Sequence, residues 1–223
     1  MTAPGSVYLL GSSHGGAVRE VLRRIAAGAG SKRLRVAVSF AALPAVHGAA
    51  QTRAFAGSLF PEAEVQQFAV DGESDAMRAE AARAVVDQAD VLFFGGGDPV
   101  LAARRLSAAG ADAWVRAARA RGAACVGLSA GSIALGAWWG DWPEDEPDGE
   151  PELVRCLGAA ARLVVDCHAE ADDWEELRAV QRRLGRDGEG LTFAGIGHGS
   201  ALVVGPADEL SWIGKASVLG PVL

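Results

Sequence analysis

Basic runs, paired cysteines and long apolar stretches are all missing from this sequence, and each absence removes a class of function. No cluster of Lys and Arg stands out against a net charge of −7, so the electrostatic footprint of a nucleic-acid binder is lacking. No apolar stretch approaches the ~20 residues of a membrane span, and MTAPGSVYLL lacks the basic segment of a secretory leader. The cytoplasm is therefore the expected compartment, with no membrane partner. The three cysteines, Cys125, Cys156 and Cys167, form no C-x-x-C and no paired spacing, which predicts reduced, mostly buried thiols. Four histidines without H-x-x-x-H spacing give no zinc signature, and no metal or other cofactor is expected. Aromatics are scarce: six Trp, seven Phe and one Tyr leave the core to aliphatic residues and Ala.

What is present is a rhythm of short apolar runs and longer amphipathic stretches. Strands are predicted over 7–10, 34–40, 64–70, 90–94 and 124–128, and helices over 17–27, 51–59, 74–88 behind a Ser N-cap, 99–108 and 111–121. Near-continuous apolar strands alternating with helices predict an α/β three-layer sandwich: a mostly parallel sheet covered on both faces. Later the rhythm changes. Strands over 163–166, 191–196, 201–204 and 210–213, with one helix between the first two, predict an antiparallel extension at one edge. With 223 residues, half of them hydrophobic, and no linker or repeat, one domain over 1–223 is expected.

One segment breaks the pattern. Residues 138–152, WWGDWPEDEPDGEPE, hold three Trp, three Pro and seven acidic residues, which suits a surface loop without regular structure. Its Trp138, Trp139 and Trp142 fit a binding rim or a contact between the subunits of a homodimer equally well.

The chemistry concentrates in VGLSAGSIAL, where Gly127-Leu-Ser129-Ala-Gly131 matches the G-x-S-x-G nucleophile elbow. That turn from strand to helix is so sharp that the serine's neighbours must be small, and it aims the N–H of the next residue, Ala130, at a developing oxyanion. Chance supplies about 0.2 such matches in a chain with 29 Gly among 223 residues, so the pattern alone is weak. A second match, Gly11-Ser-Ser13-His-Gly15, carries the bulkier His14 where the turn is crowded, which favours Ser129. Gly95-Gly96-Gly97-Asp98 ends a strand and opens a helix, where main-chain N–H groups can hold an anion. His168 closes the run Val-Val-Asp-Cys-His, at the carboxyl end of a strand where open α/β sheets gather their chemistry. His47 reads as a plain loop or helix-start residue, and His14, at the end of the first strand, as a neighbour of the same cleft by proximity alone.

Taken together, the GGGD loop, the GLSAG elbow, the DCH segment followed by EELRAVQRRL and the closing GIGHGSAL resemble the dipeptidase E and cyanophycinase family of serine peptidases, over about residues 7–213. The resemblance implies a class I glutamine-amidotransferase-like fold, hydrolysis of peptide or isopeptide bonds in small peptides, and no cofactor. It implies Ser129 as nucleophile, His168 as general base, and Gly97, Asp98 and Ala130 as sources of the oxyanion hole. It also implies a Glu in the closing motif as third member of the triad, and here His198 stands in that place. Three readings follow. His198 can accept from His168; Asp166, or an acid of 141–152, can reach His168; or the site has lost its acid and only binds. The resemblance also implies an Arg near the closing motif to meet an aspartyl substrate, but LTFAGIGHGSALVV holds no Arg or Lys. A substrate that does not begin with Asp is therefore expected. The rival activities are an esterase or amidase on the same fold; an amidotransferase is disfavoured because a serine occupies the place of the thiol.

Overall fold

The computed structural model describes residues 3–30, 32–43, 49–68, 76–143 and 149–219, without the side chains of 49–53, 76–77 and 216–219. His47 and the predicted N-cap Ser74 lie outside the described residues. A seven-stranded sheet forms the centre, in the order β11 (Leu210–Ile213), β10 (Ala201–Val204), β1 (Val7–Leu10), β5 (Ala124–Leu128), β4 (Val91–Phe94), β2 (Arg35–Ser39) and β3 (Glu64–Gln67). From β1 to β3 all neighbours are parallel, while β10 and β11 add antiparallel to the other edge. The architecture is thus the α/β fold with a mostly parallel sheet and an antiparallel C-terminal extension.

Alternation along each strand builds two cores. Val7 and Leu9 face one side, with α3 (Ala76–Gln88), α4 (Pro99–Ala108), α5 (Ala111–Ala120) and α6 (Ala130–Leu135). Tyr8 and Leu10 face the other, with α1 (Gly16–Ala29) and α2 (Ala49–Leu59). Helix α1 buries Ala17, Val18, Val21 and Ile25 and turns its arginines outward, the spacing of one apolar stripe. Helix α4 starts where the sequence says it must: Pro99 occupies the first turn and the Asp98 carboxylate accepts from the N–H groups of Val100 and Leu101.

Two expectations are corrected. The strands β8 (Leu163–Cys167) and β9 (Thr192–Ile196) do not extend the main sheet. They pair in parallel with each other and, through β9, with β12 (Ala216–Leu219) in a separate three-stranded sheet. Parallel strands buried from both sides look alike in sequence whichever sheet they join. Residues 138–152 are not wholly irregular either. Trp138–Asp141 forms β6, paired antiparallel with β7 (Glu152–Arg155), and Trp139 is only 3% exposed. The Trp142 ring meets that of Trp139 edge-on at 6.1 Å, and Arg155 lies over Trp138. All three indoles therefore have partners within this chain.

The second sheet packs through β8 against α6, which is wholly buried. Helix α6 is pressed so closely onto β4 that a Cβ on Gly131 would lie 2.1 Å from the Phe94 carbonyl oxygen. Main chain, not a movable side chain, stands in the way. Replacing Gly131 by Ala should cost about 1–3 kcal/mol, read as a lowered midpoint of denaturant unfolding with unchanged slope.

Candidate active site

Three neighbouring strand ends meet at the carboxyl edge of the main sheet. Strand β5 runs out at Leu128, beside Leu10 of β1 on one flank, and its Gly127 pairs with Phe94 of β4 on the other. Ser129 follows at φ 52°, a left-handed conformation that costs a non-glycine residue about 1–3 kcal/mol. Its N–H donates to Leu10 O at 2.9 Å, and its carbonyl accepts from Ser132 and Ile133 at 2.7 and 3.2 Å. Buried Ser132 Oγ donates to the same Leu10 oxygen at 3.0 Å. The turn is thus tied to β1 on one side and to its own helix on the other.

The loop after β4 passes directly beside it: a Cβ on Gly96 would lie 3.5 Å from that of Ser129. Gly97 has φ 137°, and a Cβ there would meet Ala42 O at 2.3 Å, so only glycine fits. Ala130 is the first residue of α6, where an N–H has no acceptor within its own helix. Asp98 is placed otherwise than expected for an oxyanion donor. Its N–H donates to Ala42 O at 2.9 Å, and its carboxylate caps α4.

The second sheet delivers the imidazoles. Because β8 and β9 run parallel with Cys167 opposite Ile196, the loops that follow them lie side by side. His168 leaves β8 at φ 51°, with its N–H on Ile196 O at 2.9 Å. Its Nε2 lies 2.7 Å from Ser129 Oγ, a distance at which the hydroxyl can donate to the ring. The His198 ring is tilted 46° to that of His168, with centroids 5.4 Å apart. The structure therefore brings together Ser129, His168 and His198, with Gly96 and Ala130 beside the serine. The alternative serine, Ser13, has its Oγ 3.0 Å from the ring of the adjacent His14, and its loop touches the His198 loop through Ser12, whose hydroxyl accepts from Gly199 N–H.

Of the acids considered from sequence, Glu144, Asp145, Glu146 and Asp148 lie outside the described residues, and the described ones make their contacts away from His168. Asp166 is 4% exposed; its Oδ1 accepts from Cys167 N–H at 2.7 Å and its Oδ2 has no hydrogen-bond partner. Neither oxygen is hydrogen-bonded to His168, which sits past the strand end in left-handed backbone. Asp141 is paired with Arg104 at 2.6 Å, and Glu150 lies 3.8 Å from Arg183. The carboxylate that sequence reasoning missed is Glu170, which opens a 3₁₀ turn two residues after His168. Its Oε1 accepts from His198 N–H at 2.6 Å and its Oε2 lies 3.2 Å from His198 Nδ1. The signal was a carboxylate just past the base, on a loop that parallel pairing sets against the closing motif.

The three thiols are buried, including that of Cys167 beneath the serine turn. Cys125 is fully buried and desolvation pushes its thiol up to about 12; burial raises those of Cys156 and Cys167 as well. All three are free. Among the described residues, no group of three or more His, Cys, Asp or Glu is arranged to hold a metal ion, and no helix is long and apolar enough to cross a membrane.

Burial also raises the Asp166 carboxyl, from 3.8 to about 7; the Cys167 N–H opposes this, and the negative charges of Glu176, Asp172 and Glu170 add to it. Between those two values the unfolded chain has released a proton that the native protein keeps. Stability from this group therefore falls as pH rises through that window, by about 4 kcal/mol in all at 1.36 kcal/mol per unit. Asp166→Asn should remove that slope. Denaturant unfolding at about pH 4 and pH 8 should find the variant gaining on the native protein at the higher pH; parallel curves would refute the assignment.

Against known proteins, the model of peptidase family S51 matches residues 59–208. Among solved structures, a peptidase from an acI-B1 actinobacterium is similar at 18% identity and TM-score 0.69, covering 98% of this chain and 95% of that one. A putative peptidase E protein from Listeria monocytogenes EGD-e is similar at 12% identity and TM-score 0.61, with 98% and 99% covered. These likenesses establish the shared fold. No curated protein matches this chain by sequence.

Proposed function

Because the chain belongs to peptidase family S51, and is thereby a peptidase, we propose that it hydrolyses small peptides through a Ser129 acyl-enzyme. One observation carries the reading: a serine hydroxyl on a strained turn, 2.7 Å from an imidazole nitrogen, with an uncommitted helix-start N–H next to it. In this reading His168 Nε2 takes the Ser129 proton as the oxygen forms its bond to the substrate carbonyl carbon. The N–H groups of Ala130 and Gly97 hold the negative oxygen that results. His168 then gives its proton to the departing amine. Water, deprotonated by the same ring, releases the acyl group and restores the serine. His198 stands beside the base as the third member.

The substrate is a peptide that does not begin with Asp. The closing segment around His198 lacks Arg and Lys, while Glu170, Asp172 and Asp173 follow His168 directly. An anionic side chain would meet like charge there, whereas neutral and basic dipeptides meet none. A panel of dipeptides differing only in the first residue should be cleaved with Asp-leading members slowest; Asp-leading members fastest would reverse this reading.

A second reading has one observation in its favour: among the described residues no carboxylate is hydrogen-bonded to His168. A protein that keeps the pocket and only binds would share the geometry. The two part on Ser129→Ala. For a serine peptidase, this change abolishes labelling by a fluorophosphonate and lowers turnover by about a thousandfold or more. A binding protein would leave the serine unlabelled in the native chain, and labelling that persists in the variant would point to Ser13.

A further inference from the structure

The closing motif lacks a carboxylate in sequence, yet one reaches it in space. Glu170 fills the room above Gly197, where a Cβ would stand 2.6 Å from its Oε1. From there its two oxygens take the main-chain N–H of His198 and the ring Nδ1 of the same residue. Burial alone would raise the Glu170 carboxyl, but hydrogen bonds from its own N–H and from His198 outweigh that and hold it below the ordinary range. An ionised carboxylate only accepts, so the proton between them belongs to Nδ1. That leaves His198 Nε2 without a hydrogen-bond partner among the described residues, in a ring whose centroid lies 5.4 Å from that of His168.

We propose that Glu170 is a positioning residue of this site. It holds His198 in the Nδ1–H tautomer, and through that ring it supplies the negative charge that stabilises His168 when His168 takes the Ser129 proton. The inference rests on Ser129 and His168 as nucleophile and base. Among the described residues, Asp141 is tied to Arg104, and Asp166 accepts from its neighbour's N–H and makes no hydrogen bond to His168. No proton moves onto Glu170 in this scheme; it passes from Ser129 to His168, and His198 stays neutral, its Nε2 being the acceptor that the charged His168 Nδ1–H would take across a gap now measured by ring centroids 5.4 Å apart. Gly197 is part of the device, since any side chain there would displace the carboxylate.

The test needs no substrate. A fluorophosphonate reacts with the serine as the Ser129 O–P bond forms, P–F breaks, fluoride leaves and the proton goes to His168. Its rate is followed from about pH 5 to pH 9 for the native protein, Glu170→Ala, Glu170→Gln, His198→Ala and the double variant Glu170→Ala/His198→Ala, with thermal melting as a check on folding. Losing the charge should slow labelling about tenfold, a fraction of the general-base contribution, and move the acidic limb of the rate–pH curve to lower pH by about half a unit. Glu170→Gln, which keeps an acceptor for the His198 N–H, should show the same shift. The double variant should be no slower than His198→Ala alone. In the native protein, imidazole nitrogen NMR should find the Nδ1–H tautomer at His198. An unmoved limb or losses that multiply in the double variant would each overturn the proposal. If native Ser129 is not labelled at all, the nucleophile reading falls and this inference with it. If it is labelled at a rate indifferent to Glu170, this inference alone falls.

Discussion

The hydrogen bond from Ser129 N–H to the Leu10 carbonyl is the constraint on which the site hangs. It continues the β1–β5 ladder one step past the end of the strand, so the chain must turn sharply to start α6. The strain of a left-handed serine is stored in that turn, and two hydrogen bonds to its own carbonyl together with the buried Ser132 hydroxyl over-determine it. Everything nearby is small because main chain comes close: Gly131 faces a carbonyl of β4, and Gly96 passes the serine side chain at van der Waals distance. Local propensity opposes this conformation, and tertiary contacts impose it. That is the pattern expected where strain serves a reactive group.

The other half of the site comes from a different sheet. Strands β8 and β9 run parallel, so their following loops emerge side by side, and this alone makes His168 and His198 neighbours though 30 positions apart in sequence. The acidic turn after His168 is folded back by Trp174, buried and left-handed, whose N–H returns to Ala169 O. Glu170 is thereby carried over Gly197. The nucleophile is thus positioned by ladder geometry, and the imidazoles by the pairing of two other strands.

Local signals were legible in the sequence and remote ones were not. The strands 7–10 and 124–128 and the helix 99–108 could be read to the residue, because glycines and the Asp-Pro step punctuate them. The elbow and the serine–histidine pair could be named from motif order. The membership of β8 and β9 in a second sheet could not, since pairing partners leave no mark on a buried apolar run. The prolines and acids that follow Trp139 dominate the local composition and predict a loop, whereas its burial depends on the core it meets. Glu170 escaped for the same reason as the sheet: its distance from His198 is set by register, which no local pattern encodes. The resemblance implies Asp98 as an oxyanion donor, whereas its N–H is held by Ala42 O and its carboxylate caps α4.

The seam between the two sheets has one more consequence. Ser129 and His168 are held in reach of each other by the apolar contact of α6 with β8, by isolated hydrogen bonds such as Ala137 N–H to Leu163 O at 2.7 Å and by weak Cys167 Sγ contacts to the Ser129 and Leu10 carbonyls; among the described residues no strand of one sheet pairs with a strand of the other. A seam of side-chain packing and isolated hydrogen bonds can loosen before either ladder melts. Gentle heating or added pressure would therefore silence the chemistry while both sheets stay intact, so thermal inactivation would run ahead of unfolding.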